Sequence, residues 1–137
     1  MGTKQFLTFM LAGQEYGIDA LKVIEVINPV SVTHVPSSGK NIIGVMNFRG
    51  DVLPLVDLAY IITSDSSSYS GKIIVISYNE AMCGLLVDFV REIVTPDSFI
   101  EASELGDVKL PHLQSVTQTQ TGLVRLLDIG SVMESLV

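Results

Sequence analysis

Few side chains in this chain are of a type and spacing to do chemistry. His34 and His112 stand without a cysteine, histidine or acid at ligand spacing, so neither reads as a metal ligand. Cys83 lies in the apolar run "AMCGLL" with no sequence neighbour to lower its pKa, and reads as a small core residue. Serines are plentiful, yet the chain has no Gly-x-Ser-x-Gly elbow, no Gly-x-x-x-x-Gly-Lys-Ser/Thr loop and no Gly-x-Gly-x-x-Gly fingerprint. Asp57 and Asp128 each close an apolar run and precede apolar residues at helical spacing, which makes them N-caps of short helices. Asp19 and Asp88 end strands in a similar way. Glu25 and Glu92 interrupt "VIEVI" and "VREIV", where a period of two sets them opposite the buried face. No enzyme, metal site or cofactor is expected.

That leaves one cation in an unusual place. Arg49 stands between Asn47-Phe48 and Gly50-Asp51, in a turn joining two apolar strands. Gly50 is expected to take a positive φ that a side chain would resist, so the turn fixes where the guanidinium points. Two readings stay open on physics alone. Arg49 is a local brace to a carbonyl or to a carboxylate such as Asp51 or Glu25, or it is an anchor at a protein interface, where its planar fork makes several directed bonds.

The elements that must hold this turn read as β. "FLTFML" alternates with Leu7, Phe9 and Leu11 on one face, and "EYGI" follows a Gly-Gln turn as a hairpin partner. "VSVTHV" and "NIIGVMNF" read as strands, and "VLPLV" returns from the arginine turn with Pro54 confining it to an edge or bulge. "KIIVISY" and "AMCGLLV" form another hairpin about Asn79-Glu80, and Asp19 to Val23 offers one helical turn between strands. The segment 64–71, "SDSSSYSG", is expected to be a flexible junction, and the polar 102–121 a long surface excursion.

The chain also repeats itself. "YGIDALKVIEVI" resembles "CGLLVDFVREIV", with Gly17 on Gly84, Val23 on Val90 and Glu25 on Glu92, a separation of 67 (84 − 17). "VLPLVDLAYII" resembles "LVRLLDIGSVM", with Asp57 on Asp128, a separation of 71 (128 − 57). Two similar segments in the same order indicate two copies of one supersecondary unit. The expected fold is all-β: two tandem five-stranded β-barrels with short helices, over 14–66 and 71–137, with strand 5–12 pairing with the second barrel.

Bulk properties exclude several classes of function. The 137 residues are 47% hydrophobic and 17% charged, enough for a packed core. A formal charge of −7 argues against a nucleic-acid surface. A lone cysteine fits a reducing compartment, and the apolar start "FLTFM" is too short for a signal or a membrane span. A cytoplasmic protein that does not insert into the membrane is expected.

The segments "EYGIDALKVIEVI", "IIGVMNFRGDVLPLVDL" and "CGLLVDFVREIV" resemble the CheW family of bacterial chemotaxis coupling proteins, over nearly the whole chain from Phe6 to Met133. The run Asn-x-Arg-Gly-x-x-x-Pro-x-x-Asp-Leu, Asn47 to Leu58, is specific to that family and to the related domain of the chemotaxis histidine kinase. The chain is too short to hold the kinase's catalytic domain as well. The resemblance implies SH3-like barrels and a non-enzymatic adaptor of a two-component system, joining the tips of methyl-accepting receptors to the kinase's regulatory domain. It implies that Val23, Glu25, Gly44, Asn47, Arg49 and Gly50 form or shape the receptor-binding surface, and that Gly84 and Ile93 belong to the kinase-binding one. The second unit departs from the first, having "QTQTG" where an Asn-x-Arg-Gly equivalent would stand. The same module serving a pilus-motility or regulatory array is an alternative, and a small-molecule sensor or enzyme in the inter-barrel cleft is another.

Overall fold

A computed structural model of the chain describes residues 4–34, 39, 41–64, 71–101, 104 and 112–136. The fold is all-β with two short helices. Strands β1 (Phe6–Leu11), β2 (Gln14–Asp19), β3 (Val23–Ile27), β4 (Ile42–Phe48) and β5 (Asp51–Asp57) lead to helix α1 (Leu58–Thr63). Strands β6 (Lys72–Tyr78), β7 (Ala81–Val87), β8 (Phe89–Val94), β9 (Ile100–Glu101), β10 (Leu113–Thr119) and β11 (Gly122–Leu127) lead to α2 (Ile129–Glu134). A five-stranded sheet has the order β3-β6-β7-β5-β4, and a six-stranded sheet the order β8-β1-β2-β11-β10-β9.

The separations of 67 and 71 reappear in the strand registers. Leu55 faces Gly84 in the parallel β5/β7 pair, and Leu126 faces Gly17 in the parallel β11/β2 pair. Val23 faces Ile76 and Ile27 faces Ile73 in β3/β6, as Val90 faces Phe9 and Val94 faces Phe6 in β8/β1. Ile42 faces Val56 in β4/β5, as Leu113 faces Leu127 in β10/β11. Even the bulges fall at matching places. Independent segments would have no reason to share these registers, so the chain is a duplication.

The sheets partition the chain differently from the expected 14–66 and 71–137. Each sheet takes its leading hairpin from one copy and its other strands from the other: β1 and β2 lie with β8, β10 and β11, while β6 and β7 lie with β3, β4 and β5. Each exchanged hairpin lies parallel to the last strand of the other copy, β7 on β5 and β2 on β11, and the chain between them serves as the crossover that a parallel pair requires.

Three apolar clusters follow. The largest draws Leu7, Phe9 and Ile18 from one sheet, Ile74, Ile76 and Leu85 from the other, and residues of both helices, so the sheets share a core. One cluster lies within each sheet: Leu53, Leu55 and Ile73 in the five-stranded sheet match Val124, Leu126 and Phe6 in the six-stranded one. Strand β1 is therefore buried on both faces, with Phe6 opposite Leu7, Phe9 and Leu11. Pro54 lies in β5, an interior strand and not an edge. The ladder to β7 begins only at Leu55, so no bond on that side is asked of residue 54. Residues 113–119, within the expected excursion, form β10, whose inward positions include Ser115 and Thr117. Apolar alternation missed this strand because hydroxyls occupy those positions; Thr117 Oγ1 donates to the Ser98 carbonyl at 2.7 Å. "VSVTHV" contributes only a bridge from Thr33 to Val45. Most of the segment 64–71, and residues 102–103 and 105–111, lie outside the described residues.

Both helices are capped as their aspartates indicate. Asp57 Oδ1 accepts from the Tyr60 N–H at 3.1 Å and Asp128 Oδ1 from the Ser131 N–H at 3.2 Å. Asp19 caps the single 3-10 turn Ala20–Lys22 through the Leu21 N–H at 3.0 Å. Asp57 is buried and Asp128 exposed. Water can replace the lost cap only at the exposed site. Denaturant titration is expected to give Asp57→Ala a loss of about 2 kcal/mol and Asp128→Ala about half that. Equal losses would remove burial as the cause.

Candidate protein-docking surface

The β4–β5 turn that carries Arg49 is a two-residue turn with positive φ at both positions, 52° at Arg49 and 90° at Gly50. Such a turn matches the right-handed twist of a hairpin. Asn47 closes it, its Oδ1 accepting the Gly50 N–H at 3.1 Å. Sequence reasoning assigned the positive φ to Gly50 alone. The arginine itself is left-handed, a conformation that costs an L-residue about 1–2 kcal/mol.

The guanidinium has two neighbours. Its Nη2 bonds Glu25 Oε1 on β3, and its Cζ lies 4.9 Å from the centre of the buried Phe48 ring. The arginine side chain nevertheless remains 67% exposed. The Glu25 contact is notable in topology, because β3 and β4 are the two edges of the five-stranded sheet. The sheet curls until its edges approach, and the Arg49–Glu25 pair spans them.

Glu25 is placed against expectation. Burial along β3 alternates, and Glu25 falls on the half-buried phase with Val23 and Ile27, while Ile24 and Val26 are exposed. The bulge between Val23 and Glu25 is part of this local geometry. The edge thus shows solvent two aliphatic side chains, with Leu21 90% exposed just before it. Val23 packs against the shared core. Gly44 is buried: a Cβ there would stand 2.3 Å from the Thr33 carbonyl oxygen and 2.7 Å from Val32, so glycine lets that segment lie on β4. Of the six residues expected at the receptor surface, Glu25, Asn47, Arg49 and Gly50 gather at or beside the turn, while Val23 packs on the shared core and Gly44 lies under the Val32–Thr33 segment.

The kinase-side pair separates. Ile93 is 57% exposed on edge strand β8. Gly84 is buried, and a Cβ there would meet Ile73, Met46 and Leu55 at 2.9–3.2 Å. Gly84 offers no surface to a partner; its place is in the packing.

The reactive groups are quiet. Burial pushes the Cys83 thiol up to about 12, leaving it un-ionised near neutrality, and its Sγ lies 3.4 Å from Met133 Sδ. Burial also raises the Tyr16 phenol, with the Arg125 guanidinium opposing it. Among the described residues no cluster of three His, Cys, Asp or Glu side chains could hold a metal, and no helix is long and apolar enough to cross a membrane.

The family model for the CheW-like domain matches residues 5–137. The chain belongs to the CheW-like domain family. It is 34% identical over 137 residues to the chemotaxis protein CheW of Klebsiella aerogenes, covering 96% of this chain and 82% of that one. It is 28% identical over 141 residues to the chemotaxis protein CheW of Bacillus subtilis, covering 96% and 87%. Its fold matches the crystal structure of the scaffolding protein TtCheW from Thermoanaerobacter tengcongensis with a TM-score of 0.81 at 26% identity, over 94% of this chain and 86% of that one. For this member of the CheW-like family, the arginine turn and the aliphatic edge are the candidate contact surface. Missing from sequence reasoning was a second polar cluster about Glu15, Arg91 and Thr121, whose members are 76 to 106 positions from Glu15 (91 − 15, 121 − 15). No local signal joins them.

Proposed function

We propose that this chain is a non-enzymatic cytoplasmic adaptor that couples methyl-accepting chemoreceptors to the chemotaxis histidine kinase. The observation that carries the reading is the Arg49 turn of a CheW-like domain: a left-handed arginine held outward, beside exposed aliphatic side chains. A receptor tip is a helical hairpin, and helix docking suits an apolar strip bordered by the charges of Arg49 and Glu25. The kinase's regulatory domain then uses a different face, which includes Ile93.

A single contact of this kind buries less than the ~1,600 Å² of a standard interface, and arrays of neighbouring contacts raise the effective concentration. The test is a ternary pull-down of receptor cytoplasmic fragment, kinase and this chain, with kinase activity assayed alongside. The chain is expected to bring receptor and kinase down together, and receptor is expected to alter kinase activity only when the chain is present. Failure to bind either partner overturns the reading.

A further inference from the structure

Among the described residues the two most exposed large apolar side chains are Leu21 and Val52, at 90% and 69%. They lie apart in the chain, yet the strand registers bring them to one rim. In β3/β6 Val23 faces Ile76, so Leu21 is level with Tyr78 (23 − 2, 76 + 2). Tyr78 faces Ala81 in β6/β7, and Leu55 faces Gly84 in β5/β7, which sets Val52 level with Ala81 (55 − 3, 84 − 3). Val52 in turn faces Asn47 on β4. This row crosses the five-stranded sheet at the end that the Arg49 turn closes. The Lys22 ammonium, 6.0 Å from the centre of the Tyr78 ring, agrees with that placement.

Leu21 is held firmly where it stands. The Ala20 N–H donates to the Gln5 carbonyl at 3.0 Å, the Leu21 N–H to Asp19 Oδ1 at 3.0 Å, and Asp19 Oδ2 lies 3.7 Å from Lys4 Nζ. Yet the turn Ala20–Lys22 buries none of its residues. The duplication shows what the turn does not do. The separation of 67 sets Leu21 on Asp88 (88 − 21), and Asp88 braces the β1–β2 hairpin: its N–H donates to the Met10 carbonyl and its Oδ2 accepts the Ala12 N–H, both at 3.0 Å. In the first copy the Leu21 N–H goes to Asp19 instead, and an aliphatic side chain has nothing to bond with. The position has given up the brace and gained an ordered, solvent-facing leucine.

We infer that Leu21 and Val52 are apolar anchors for the receptor, carrying its docking surface from the Arg49 turn across the rim of the five-stranded sheet. The inference rests on the adaptor reading and names two residues that neither the motif nor the repeat assigned to contact. The occupant is the apolar face of the receptor's helical hairpin, because the rim continues the surface already formed by Arg49, Glu25 and the exposed Ile24 and Val26. A leucine on a turn that is already bonded in place loses little freedom on docking, so most of its burial counts toward affinity. The second copy has Asp88 and Gln120 where the first has Leu21 and Arg49 (88 − 67, 120 − 71), so the receptor's apolar face discriminates between the two rims.

The test is calorimetric titration of the native chain, Leu21→Ser, Val52→Ser and Leu123→Ser with a receptor cytoplasmic fragment, and of the two rim variants with the kinase's regulatory domain. Leu123 is the exposed counterpart of Val52 in the second copy (123 − 71) and controls for the loss of any exposed aliphatic group. Leu21→Ser is expected to weaken receptor binding at least tenfold and Val52→Ser at least threefold, with Leu123→Ser within twofold of native. Both rim variants are expected to keep the native affinity for the kinase domain and the native melting temperature, since neither side chain is buried. Native receptor affinity in either rim variant, an equal loss in Leu123→Ser, or a loss for the kinase domain instead overturns the proposal and leaves the adaptor reading standing. A melting temperature that falls along with affinity also overturns it, making the rim residues structural. A native chain that binds no receptor overturns both.

Discussion

Arg49→Asn is expected to cost receptor binding at least thirtyfold while leaving the protein as stable as before, within about 1 kcal/mol. Against the mutation, an exposed ion pair to Glu25 contributes about 0–1 kcal/mol, and a guanidinium over Phe48 about 0.5–1 kcal/mol. In its favour, asparagine before Gly50 is the preferred pair for a turn with two positive φ values, relieving about 1 kcal/mol of strain at a φ of 52°. These effects nearly cancel. Docking has no such compensation, since truncating a hot-spot arginine costs about 2 kcal/mol or more, about thirtyfold in affinity. Thermal melting and calorimetric titration of a receptor fragment measure the two separately. An unfolded variant would make Arg49 a brace; a folded variant with unchanged affinity would make it neither brace nor anchor.

A large stability effect is expected at Gly84. A Cβ there already stands 2.9 Å from Ile73 Cγ2, 3.1 Å from Met46 Sδ and 3.2 Å from Leu55 Cδ1, and valine adds two further methyl groups. Overpacking of this kind costs about 1–3 kcal/mol, and the three simultaneous contacts put Gly84→Val at the upper end. A fall in melting temperature of roughly 6–12 °C follows for a chain of this size. Gly17→Val, at the duplicated position, has one close contact, Leu126 Cδ2 at 2.9 Å, and is expected to lose less. Below its melting transition Gly84→Val should bind the kinase's regulatory domain within twofold of the native chain. A stable Gly84→Val protein that no longer binds would return Gly84 to the contact surface.

Much of this was legible in the residues because the signals are local. Asp57, Asp128 and Asp19 announce helical turns through bonds that span two or three residues. The Asn47-to-Gly50 turn is written in four consecutive positions. The repeat separations of 67 and 71 carried information about register before any pairing was known, since copies of one unit pair alike. Strand β10 escaped because its core positions include hydroxyl side chains, and β3 was assigned the wrong outward face because "VIEVI" has aliphatic residues in both phases of its alternation, so the carboxylate alone set the phase.

What residue types and spacing determined is the all-β character, the doubling, the capped turns and an arginine-bearing hairpin. Only the tertiary structure decided that the copies exchange their leading hairpins, that Glu25 rather than Asp51 meets Arg49, that Gly84 is interior, and that Glu15 lies beside Arg91 and Thr121. The division has one physical cause. Capping, turn formation and alternation act within a few residues, whereas strand exchange and the burial of a carboxylate depend on which surfaces meet once both sheets have formed around their common core.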